Sequence, residues 1–299
     1  MAVTVPDVVR EKALVAGAHD WLRDLPTMIA SLEHEWEMEI GATYDCATEA
    51  LVAAVIVGGS EPAVLKLCVP RETAAARREV LALEAVEGRG AVRLLRSDVE
   101  RGALLLERLG PSMHDVGLLL SERHRILCRL AAAFQQPARS LDLPTGREKA
   151  DWLEAYVVRS WDELDRPCTT GAVEHAVACA RSRAAAHDDE RALLVHGDVH
   201  EWNALQRGDD WALVDPDGLV AEPEYDLGII MREDPVELMC GDPRDRSRRL
   251  AAMTDLDETA IWEWGVVERV ATGLLAARIG MQPVGGQMLE AADLIAERA

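Results

Sequence analysis

The sequence predicts an α+β fold of two lobes, with a β-rich lobe over residues 1–109 and a mainly helical lobe over residues 110–299. The length of 299 residues exceeds that of one typical domain. Strand-like patterns are concentrated before residue 110, and helix-like patterns dominate after it. The composition, 49% hydrophobic and 28% charged, is that of an ordinary globular protein.

The first lobe is predicted to begin with one or two amphipathic helices over residues 7–33, interrupted by Pro26. Three antiparallel strands follow from Trp36 to Leu67, because "EWEMEIG" alternates, "EALVAAVIV" and "PAVLKL" are apolar, and "GGS" forms a turn. The stretch "RETAAARREVLALEAVEG" predicts a helix that ends near Gly88. Two further strands are predicted in "AVRLLRSD" and "GALLLERLG".

The second lobe is predicted to be built mainly from helices. They are expected over residues 118–136, 147–165, 171–186, 243–254, 257–279 and 283–298. Two short apolar runs in this part are each followed by polar residues, in "LLVHGDVHEWNAL" and "WALVDPDG". These runs predict two strand–loop units whose polar side chains face one site.

The net charge of −21 argues against a nucleic-acid partner, because binding to phosphates needs a basic surface. A neutral or cationic small molecule is easier to accommodate. The longest apolar run, Ala50 to Val57, is far shorter than a membrane span, and the first residues lack a signal-peptide pattern. We therefore expect no membrane partner and a cytoplasmic location.

The six cysteines are scattered and include no C-x-x-C pair. This spacing favours reduced, mostly structural thiols over a disulfide framework or a zinc site.

The spacing H-G-D-x-x-x-x-N in the first polar loop is that of a kinase catalytic loop. A hydroxyl that attacks a γ-phosphoryl group must lose its proton, and a carboxylate within hydrogen-bond reach can orient the hydroxyl and accept that proton. Asp198 is the candidate for this catalytic role. An Asp in a loop is more often a turn former, and only the combined pattern favours catalysis.

Asn203 and Asp215 are the predicted metal ligands. Magnesium prefers hard oxygen ligands, and one amide oxygen with one carboxylate can hold it against a triphosphate. Asp217, two residues further on, has two interpretations, as a second metal neighbour or as a turn residue, and we favour the turn.

Lys66 in "AVLKL" is the candidate cation for the α- and β-phosphates of a nucleotide. The chain has three lysines against 29 arginines, so a lysine at this position is a marked choice. An ammonium buried without a partner in an apolar strand is costly, which predicts a carboxylate partner. Glu79 on the following helix is the expected one. The alternative is a lysine whose amine reaches solvent from a strand edge.

Five stretches together carry a resemblance to a known family. They are "AVLKL", "REVLALEAVEGRGAVRLL", "GALLLERLG", "VHGDVHEWNAL" and "VDPDGLVAEPEYDLG". In this order and spacing the sequence resembles the aminoglycoside phosphotransferases, and within them the streptomycin 6-phosphotransferase and hydroxyurea resistance kinase group. The resemblance implies a protein-kinase-like fold, ATP and Mg²⁺ as cofactors, and transfer of the γ-phosphate to a small-molecule hydroxyl.

The same resemblance implies roles for further residues. Backbone groups around Glu107 and Leu109 are expected to form the hinge that recognises adenine, and His196 is expected to brace the catalytic loop. Gly197 stands where protein kinases commonly carry an Arg, so no phosphorylation switch is expected. The turn after Gly41 departs from the family pattern because it lacks the other glycines of a phosphate-covering loop.

The acceptor is predicted to be a small molecule with a hydroxyl group, most readily a cationic aminoglycoside such as streptomycin. Hydroxyurea, an amino sugar or another metabolite are alternatives, because the acceptor pocket lies in the variable helical lobe. Acidic residues of that lobe are candidates for binding a cation: Glu201, Glu224, Glu233, Asp234 and Glu237. Trp202 is the tryptophan whose position favours a substrate contact. A monomer is expected.

Two interpretations from other functional classes stay open at this point. His196, Asp198 and His200 form H-x-D-x-H, which also occurs in metal-dependent hydrolases, although Asn203 and Lys66 would then have no role. A kinase-fold protein that binds nucleotide or drug without turnover is the other alternative, and the complete set of five residues argues against it.

Overall fold

The computed structural model describes residues 4–45, 49–70, 73–138 and 141–298. The chain forms two compact units, one containing residues 1–110 and 206–217 and the other containing residues 111–205 and 218–299. Residues 206–217, which the sequence analysis placed in the second lobe, thus return to the first unit. Backbone hydrogen bonds explain this, because the N–H of Val92 donates to Leu213 and the N–H of Gly110 donates to Gln206.

Among its described residues, the first unit contains a five-stranded antiparallel sheet and three helices. Its elements in chain order are α1 (Asp7–Val15), α2 (His19–Trp36), β1 (Met38–Thr43), β2 (Ala50–Val57), β3 (Glu61–Cys68), α3 (Thr73–Val86), β4 (Leu94–Asp98) and β5 (Ala103–Glu107). The strand order is β1-β2-β3-β5-β4. The break between the leading helices falls at Gly17, whose φ is +71°, and Pro26 stays inside α2.

Helix α2 packs one apolar face on the sheet. Its buried residues recur every three to four positions, which is the period of an amphipathic helix: Trp21, Leu25, Ile29, Leu32 and Trp36. They join one hydrophobic core with β2 and β3 residues such as Leu51, Leu65 and Leu67. In the middle of this sheet, Lys66 pairs in register with Val52 on β2 and Leu104 on β5. The core thereby holds the one lysine of β3 in a fixed place.

The second unit is mainly helical. Its helices are α4 (Met113–Val116), α5 (Leu120–Phe134), α6 (Gly146–Glu163), α7 (Thr170–Ala186), α8 (Glu224–Arg232), α9 (Pro235–Met239), α10 (Arg244–Thr254), α11 (Glu258–Arg278) and α12 (Val284–Glu297). Its strands β6 (Gln136–Pro137), β7 (Leu193–Val195) and β10 (Leu219–Ala221) form a small sheet with β7 in the centre. A hairpin of β8 (Ala204–Arg207) and β9 (Asp210–Leu213) follows the polar loop after β7, and its residues from Gln206 onward belong to the first unit.

Helix α8 has no counterpart among the helices that the sequence predicts. Every residue from Tyr225 to Arg232 is buried, so "EYDLGIIMR" shows no polar face from which a helical period could be read. A glycine in its middle, Gly228, further weakens the helix signal. That glycine has a packing role, because a Cβ at Gly228 would overlap the Cβ of Trp264 on α11. Helices α8 and α11 therefore approach closely.

None of the helices within the described ranges is both long enough and apolar enough to cross a membrane.

Candidate active site

The first group of predicted site residues lies in the first unit, around the amine of Lys66. The Nζ atom donates to both carboxylate oxygens of Glu79, at 2.8 and 2.6 Å, and to Oδ1 of Asp215 at 2.8 Å. Lys66 and Glu79 are buried, whereas 54% of the Asp215 side chain is exposed. The expected pairing of Lys66 with Glu79 is present, and Asp215 is a second partner that the sequence analysis did not predict.

Burial and charge act in opposite directions on this cluster. Burial lowers the pKa of Lys66, but Asp215 and Glu79 outweigh it and hold the pKa well above its ordinary value. Burial raises the pKa of the Glu79 carboxyl, although Lys66 opposes the shift. Lys66 is therefore a fixed positive charge at neutral pH.

Asp215 is placed by the chain that follows β9. Its φ is +58°, in the left-handed region that Asp tolerates better than most residues. This backbone turn directs the chain from the strand into "PDG", and the carboxylate is the exposed member of the Lys66 cluster. Asp217 is also exposed. The structure thus provides an accessible carboxylate oxygen beside a buried ammonium, which suits a phosphate-bound cation.

The second group of predicted site residues lies in the second unit, in the loop after β7. Asp226 of α8 is fully buried and accepts the backbone N–H groups of His196, at 3.0 Å, and Gly197, at 2.8 Å. The N–H of Asp198 donates to Nδ1 of the buried His196 at 3.2 Å. Gly197 has a φ of +93°, which glycine adopts at little cost. These contacts fix the loop backbone at residues 196–198, where the candidate catalytic side chain of Asp198 begins.

The Asp198 carboxylate receives three hydrogen bonds. Arg232 donates to Oδ1 at 3.1 Å, and His200 and Asn203 contact Oδ2 at 3.0 and 3.1 Å. About four lone-pair positions are available on a carboxylate. One acceptor position, on Oδ1, is therefore left for a further hydrogen-bond donor.

The charged neighbours decide the ionisation of Asp198. Burial raises the pKa of this carboxyl, but His200 and Arg232 outweigh burial and hold the pKa far below its ordinary value. The pKa of His200 is affected in the reverse sense, because burial lowers it and Asp198 raises it above the ordinary value. Asp198 is thus a carboxylate at neutral pH and a weak base.

Asn203 is oriented by the same loop. Its amide nitrogen donates to the backbone oxygen and to Oδ2 of Asp198, both at 3.1 Å. This commitment of the nitrogen points the other end of the amide, a hard oxygen, away from Asp198 as a potential ligand. Within the part of the chain that the structure describes, no group of three or more His, Cys, Asp or Glu side chains could hold a metal ion by itself. The donors present fit magnesium, which takes few protein ligands and shares phosphate oxygens.

The two loop histidines use ring nitrogens for contacts within the loop. His200 contacts Asp198 through Nε2 and accepts the N–H of Trp202 at Nδ1, and His196 accepts the N–H of Asp198 at Nδ1. His196 is also completely buried. This arrangement argues against the H-x-D-x-H hydrolase alternative.

The predicted hinge residues lie at the end of β5. The Glu107 carboxylate accepts the N–H of Arg93 at 2.8 Å and contacts the guanidinium of Arg207, so its side chain has a structural role. Among the described residues none accepts a hydrogen bond from the N–H of Leu109. A backbone role of this segment in adenine recognition is compatible with this geometry.

The turn after Gly41 is only partly described. Gly41 lies within β1, where a Cβ would approach the carbonyl oxygen of Ala54 to 3.1 Å. Close packing against β2 therefore accounts for a glycine at this position of β1. The residues that would form the tip of a phosphate-covering turn, 46–48, lie outside the described residues.

The acidic residues proposed for the acceptor are already paired within the second unit. Arg123 binds Glu201 and, at 2.8 Å, Asp234. Glu233 pairs with Arg232, and Glu237 pairs with Arg246. Glu224 accepts the N–H of Asp257 at 3.1 Å instead of facing the loop. The acidic surface is therefore much less negative than the sequence suggests.

Three of these acids still line one pocket together with Arg123. The lining residues are Arg123, His124, Leu127, Glu201, Ile230, Glu233 and Asp234. Beside Glu201, the ring of Trp202 is 53% exposed and stacks on His114, with ring centroids 3.5 Å apart. This face of the second unit thus presents paired charges and one aromatic ring anchored by stacking.

Two residues that organise the site, Asp226 and Arg232, were not among the residues predicted from the sequence. Both lie on α8, and their signal was the appearance of charged side chains in an otherwise apolar segment. A buried charge needs a partner, so such a segment should direct attention to the nearest polar loop.

The comparisons with known proteins agree with this geometry. A family model described as aminoglycoside/hydroxyurea antibiotic resistance kinase matches residues 36–280. Streptomycin 6-kinase of Streptomyces griseus is 26% identical over 309 residues, covering 99% of this chain and 98% of that protein. Hydroxyurea phosphotransferase of Kitasatospora aureofaciens is 29% identical over 214 residues, covering 71% of this chain and 62%, less than two thirds, of that relative.

A solved structure extends the likeness to three dimensions. A thermostable mutant of the aminoglycoside phosphotransferase APH(4)-Ia, in a ternary complex with ADP and hygromycin B, matches with a TM-score of 0.62. The match covers 90% of this chain and 97% of that one at 14% identity, which is evidence for the fold alone. The predicted α+β, protein-kinase-like fold class is confirmed.

Proposed function

Because the chain belongs to the aminoglycoside/hydroxyurea antibiotic resistance kinase family, we propose that it transfers the γ-phosphate of ATP to a hydroxyl of an aminoglycoside such as streptomycin. The observation that carries this proposal is the environment of Asp198. Its carboxylate is held by three donors and keeps one acceptor position. Such a carboxylate can accept a hydrogen bond from a substrate hydroxyl and thereby orient it.

The role of Asp198 follows from its weak basicity. The acceptor hydroxyl donates to Oδ1, its oxygen bonds to the γ-phosphorus, and the bond from that phosphorus to the β–γ bridging oxygen breaks to release ADP. The hydroxyl proton passes to Asp198 and then to solvent. Since phosphoryl transfer proceeds through a loose transition state, orienting the hydroxyl matters more than removing its proton early. A carboxylate of lowered pKa suits that task.

Lys66 is the proposed ligand of the nucleotide phosphates. An ammonium has three N–H donors, and here Glu79 takes two and Asp215 takes the third. Lys66 can therefore donate to a phosphate only if its hydrogen bond to one of the carboxylates breaks. Asp215 is the exposed partner, whereas Glu79 is buried and binds through both oxygens. We expect Lys66 to exchange Asp215 for phosphate when nucleotide binds.

Asn203 and Asp215 are the proposed magnesium ligands. Each offers a hard oxygen, and the exchange at Lys66 frees the Asp215 carboxylate for a cation. When bound, magnesium neutralises the triphosphate charge. The adenine hinge at Glu107–Leu109, the monomeric state and the cytoplasmic location are parts of the same proposal, the last supported by the need for ATP.

Hydroxyurea is the second candidate acceptor, because a hydroxyurea phosphotransferase is among the relatives. The net charge of −21 favours the cationic alternative, and the lining of the pocket around Arg123 still contains three carboxylates against one arginine. Trp202 supports it as well, since an exposed aromatic ring stacks on the apolar face of a sugar or on a guanidinium. Hydroxyurea offers no ring to such a surface.

The test is an assay of Mg·ATP consumption by the purified protein against streptomycin, other aminoglycosides, hydroxyurea and simple amino sugars. Asp198→Ala serves as the matched variant, and it should lose about 10³-fold in turnover while retaining ATP binding. Turnover with streptomycin that disappears in the variant supports the proposal. Turnover only with hydroxyurea replaces the acceptor. Tight ATP binding without any transfer would contradict the enzymatic role, and equal turnover in the variant would contradict the role of Asp198.

A further inference from the structure

Arg232, the last residue of α8, carries a buried guanidinium that contacts the candidate catalytic carboxylate. It is 8% exposed, and its Nη2 atom donates to Oδ1 of Asp198 at 3.1 Å. That oxygen is the one with an acceptor position left for the substrate. Because Arg232 and the hydroxyl would share Oδ1, the direction of the Arg232 bond determines the direction that remains open.

The other nitrogens of Arg232 are held independently of the loop. Nε donates to Glu233 at 2.7 Å, and Nη1 contacts Oγ1 of Thr272 at 3.4 Å. Oε2 of Glu268 lies 3.9 Å from Nη1. The guanidinium is thus fixed by partners on the turn after α8 and on α11, and it does not depend on Asp198 for its own place.

The end of α8, which carries Arg232, and the turn after it are braced by two buried arginines. Arg246 binds the backbone oxygens of Met231, Glu233 and, at 3.1 Å, Asp234. Arg269 binds the oxygens of Met231 and Arg232. Carbonyl groups at a helix C-terminus have no partner within the helix, and here these two side chains supply them. The end of α8 is therefore a rigid support.

The loop that carries Asp198 is attached to α8 and the turn after it at three places. Asp226 at the other end of α8 holds the loop backbone at His196 and Gly197. Asp234, in the braced turn, binds Arg123, which in turn binds Glu201 of the loop. The contact from Arg232 to Asp198 is the one attachment of this set that reaches the reacting side chain itself.

We propose that Arg232 is a positioning residue of phosphotransfer, which holds Oδ1 of Asp198 so that its open lone pair faces the acceptor hydroxyl. This inference rests on the proposed function, because it presumes that Asp198 orients a hydroxyl. Arginine suits the position better than lysine, since its planar group bonds in several fixed directions at once. A lysine would have one nitrogen for all these partners.

The test compares Arg232→Gln and Arg232→Lys with the wild type. Arg232→Gln should lower kcat about 10²-fold, the scale of a misplaced catalytic group, with the KM for ATP changed by less than about 3-fold. Arg232→Lys should recover only part of the loss. Guanidinium added to Arg232→Ala, well below unfolding concentrations, should restore part of the rate by occupying the vacated site.

Arg183→Gln is the matched control, because Arg183 is another little-exposed arginine of the second unit, paired with Glu222 and Glu263. It should lose thermal stability while its kcat stays within about 3-fold of the wild type. A kcat loss of equal size in Arg183→Gln and Arg232→Gln, or a loss in Arg232→Gln that appears only in KM, would overturn the proposal.

A crystal structure of Arg232→Gln separates this inference from the proposed function. The Asp198 carboxylate should rotate or become disordered in the variant, whatever the acceptor is. An Asp198 carboxylate that keeps its orientation, with His200 and Asn203 in place, would overturn the positioning role even if the enzyme is active. A rotated carboxylate in a protein that transfers phosphate to no acceptor would support the positioning geometry and contradict the function.

Discussion

The two groups of site residues are opposites in charge. Around Lys66 a single cation lies between two carboxylates, and around Asp198 a single carboxylate lies between a histidine and an arginine. In both, burial disfavours the charged form and the partners outweigh it, so the pKa of Lys66 rises and that of Asp198 falls. Each group thus keeps the charge that its proposed role requires.

The two groups differ in how exposed the partners of the central residue are, and therefore in how readily a partner can be replaced by a ligand. One partner of Lys66, Asp215, is more than half exposed, whereas Arg232 and His200, the basic partners of Asp198, are nearly buried, with side chains 10% and 15% exposed. The lysine cluster is therefore suited to exchange a partner for a ligand. The aspartate cluster is suited to hold one arrangement throughout the reaction.

The largest effect is expected from Lys66→Met. It leaves Glu79 buried without its cation, and breaking such a pair costs about 3–5 kcal/mol in the free energy of unfolding. Urea unfolding followed by circular dichroism measures this loss. Phosphotransfer should also fall below detection in a standard assay.

The double variant Lys66→Met/Glu79→Leu provides the control for the preceding prediction. Replacing both members by apolar residues removes the uncompensated charge, so most of the lost stability should return while activity stays absent. A double variant that is less stable than Lys66→Met would show that Glu79 has another essential partner and that the pair is not the unit of stability.

Asp215→Asn tests the exchange of partners at Lys66. With Mg²⁺ present, the affinity for ADP should fall about 10²-fold, because a carboxylate ligand is lost. Without Mg²⁺, the variant should bind ADP at least as tightly as the wild type, because Lys66 is no longer occupied by Asp215. Isothermal titration calorimetry with and without Mg²⁺ measures both.

Asp217→Asn is the matched control, an exposed carboxylate two residues away. It should leave both affinities within about 3-fold of the wild type if Asp217 is a turn residue. A magnesium-specific loss equal to that of Asp215→Asn would make Asp217 a metal neighbour. Weaker ADP binding by Asp215→Asn in the absence of Mg²⁺ would contradict the proposed exchange.

The smallest effect concerns His124, a buried group whose charged neighbours are mostly of its own sign. Burial lowers its pKa to about 4, with Arg246 and Arg123 acting in the same direction against Asp234. Since the folded pKa lies below the unfolded value, the stability that neutral His124 provides is complete above about pH 6.5 and declines as pH falls toward 4.

His124→Gln should therefore weaken the acid dependence of stability. Between about pH 7 and pH 5.5, the wild type should lose about 1 kcal/mol more unfolding free energy than the variant. Urea titrations at both pH values measure the difference, and His34→Gln, at an exposed position of α2, is the control. Parallel pH profiles for wild type and His124→Gln would show that the imidazole is solvated.

Part of the candidate site could be predicted because some of its residues lie close together in the sequence, in one recognisable motif. Asp198 and Asn203 belong to one loop, and the lysine count identified Lys66. The bond from Lys66 to Asp215 was missed because 149 positions separate the two residues. Arg232 was missed because α8 is buried all round and shows no helical period.

The acidic residues show the opposite error. The sequence displays Glu201, Glu233 and Asp234 as free charges, and the structure pairs each with an arginine. Long-range ion pairs of this kind depend on how helices pack, which composition does not reveal. Net charge therefore does not show which acidic side chains are already paired within the fold.

The close approach of α8 and α11 makes the reaction sensitive to a position that touches no substrate. Gly228 lies between Asp226 and Arg232. Because glycine has no side chain, α8 can pack directly against Trp264 of α11 at this position. An added methyl group there would overlap Trp264, so α8 and α11 would have to separate, and α8 carries both Asp226 and Arg232, which hold the loop. The tolerance of this protein to mutation is therefore set at its core as strictly as at its active site, and natural variation at Gly228 should be confined to chains in which α11 has changed with it.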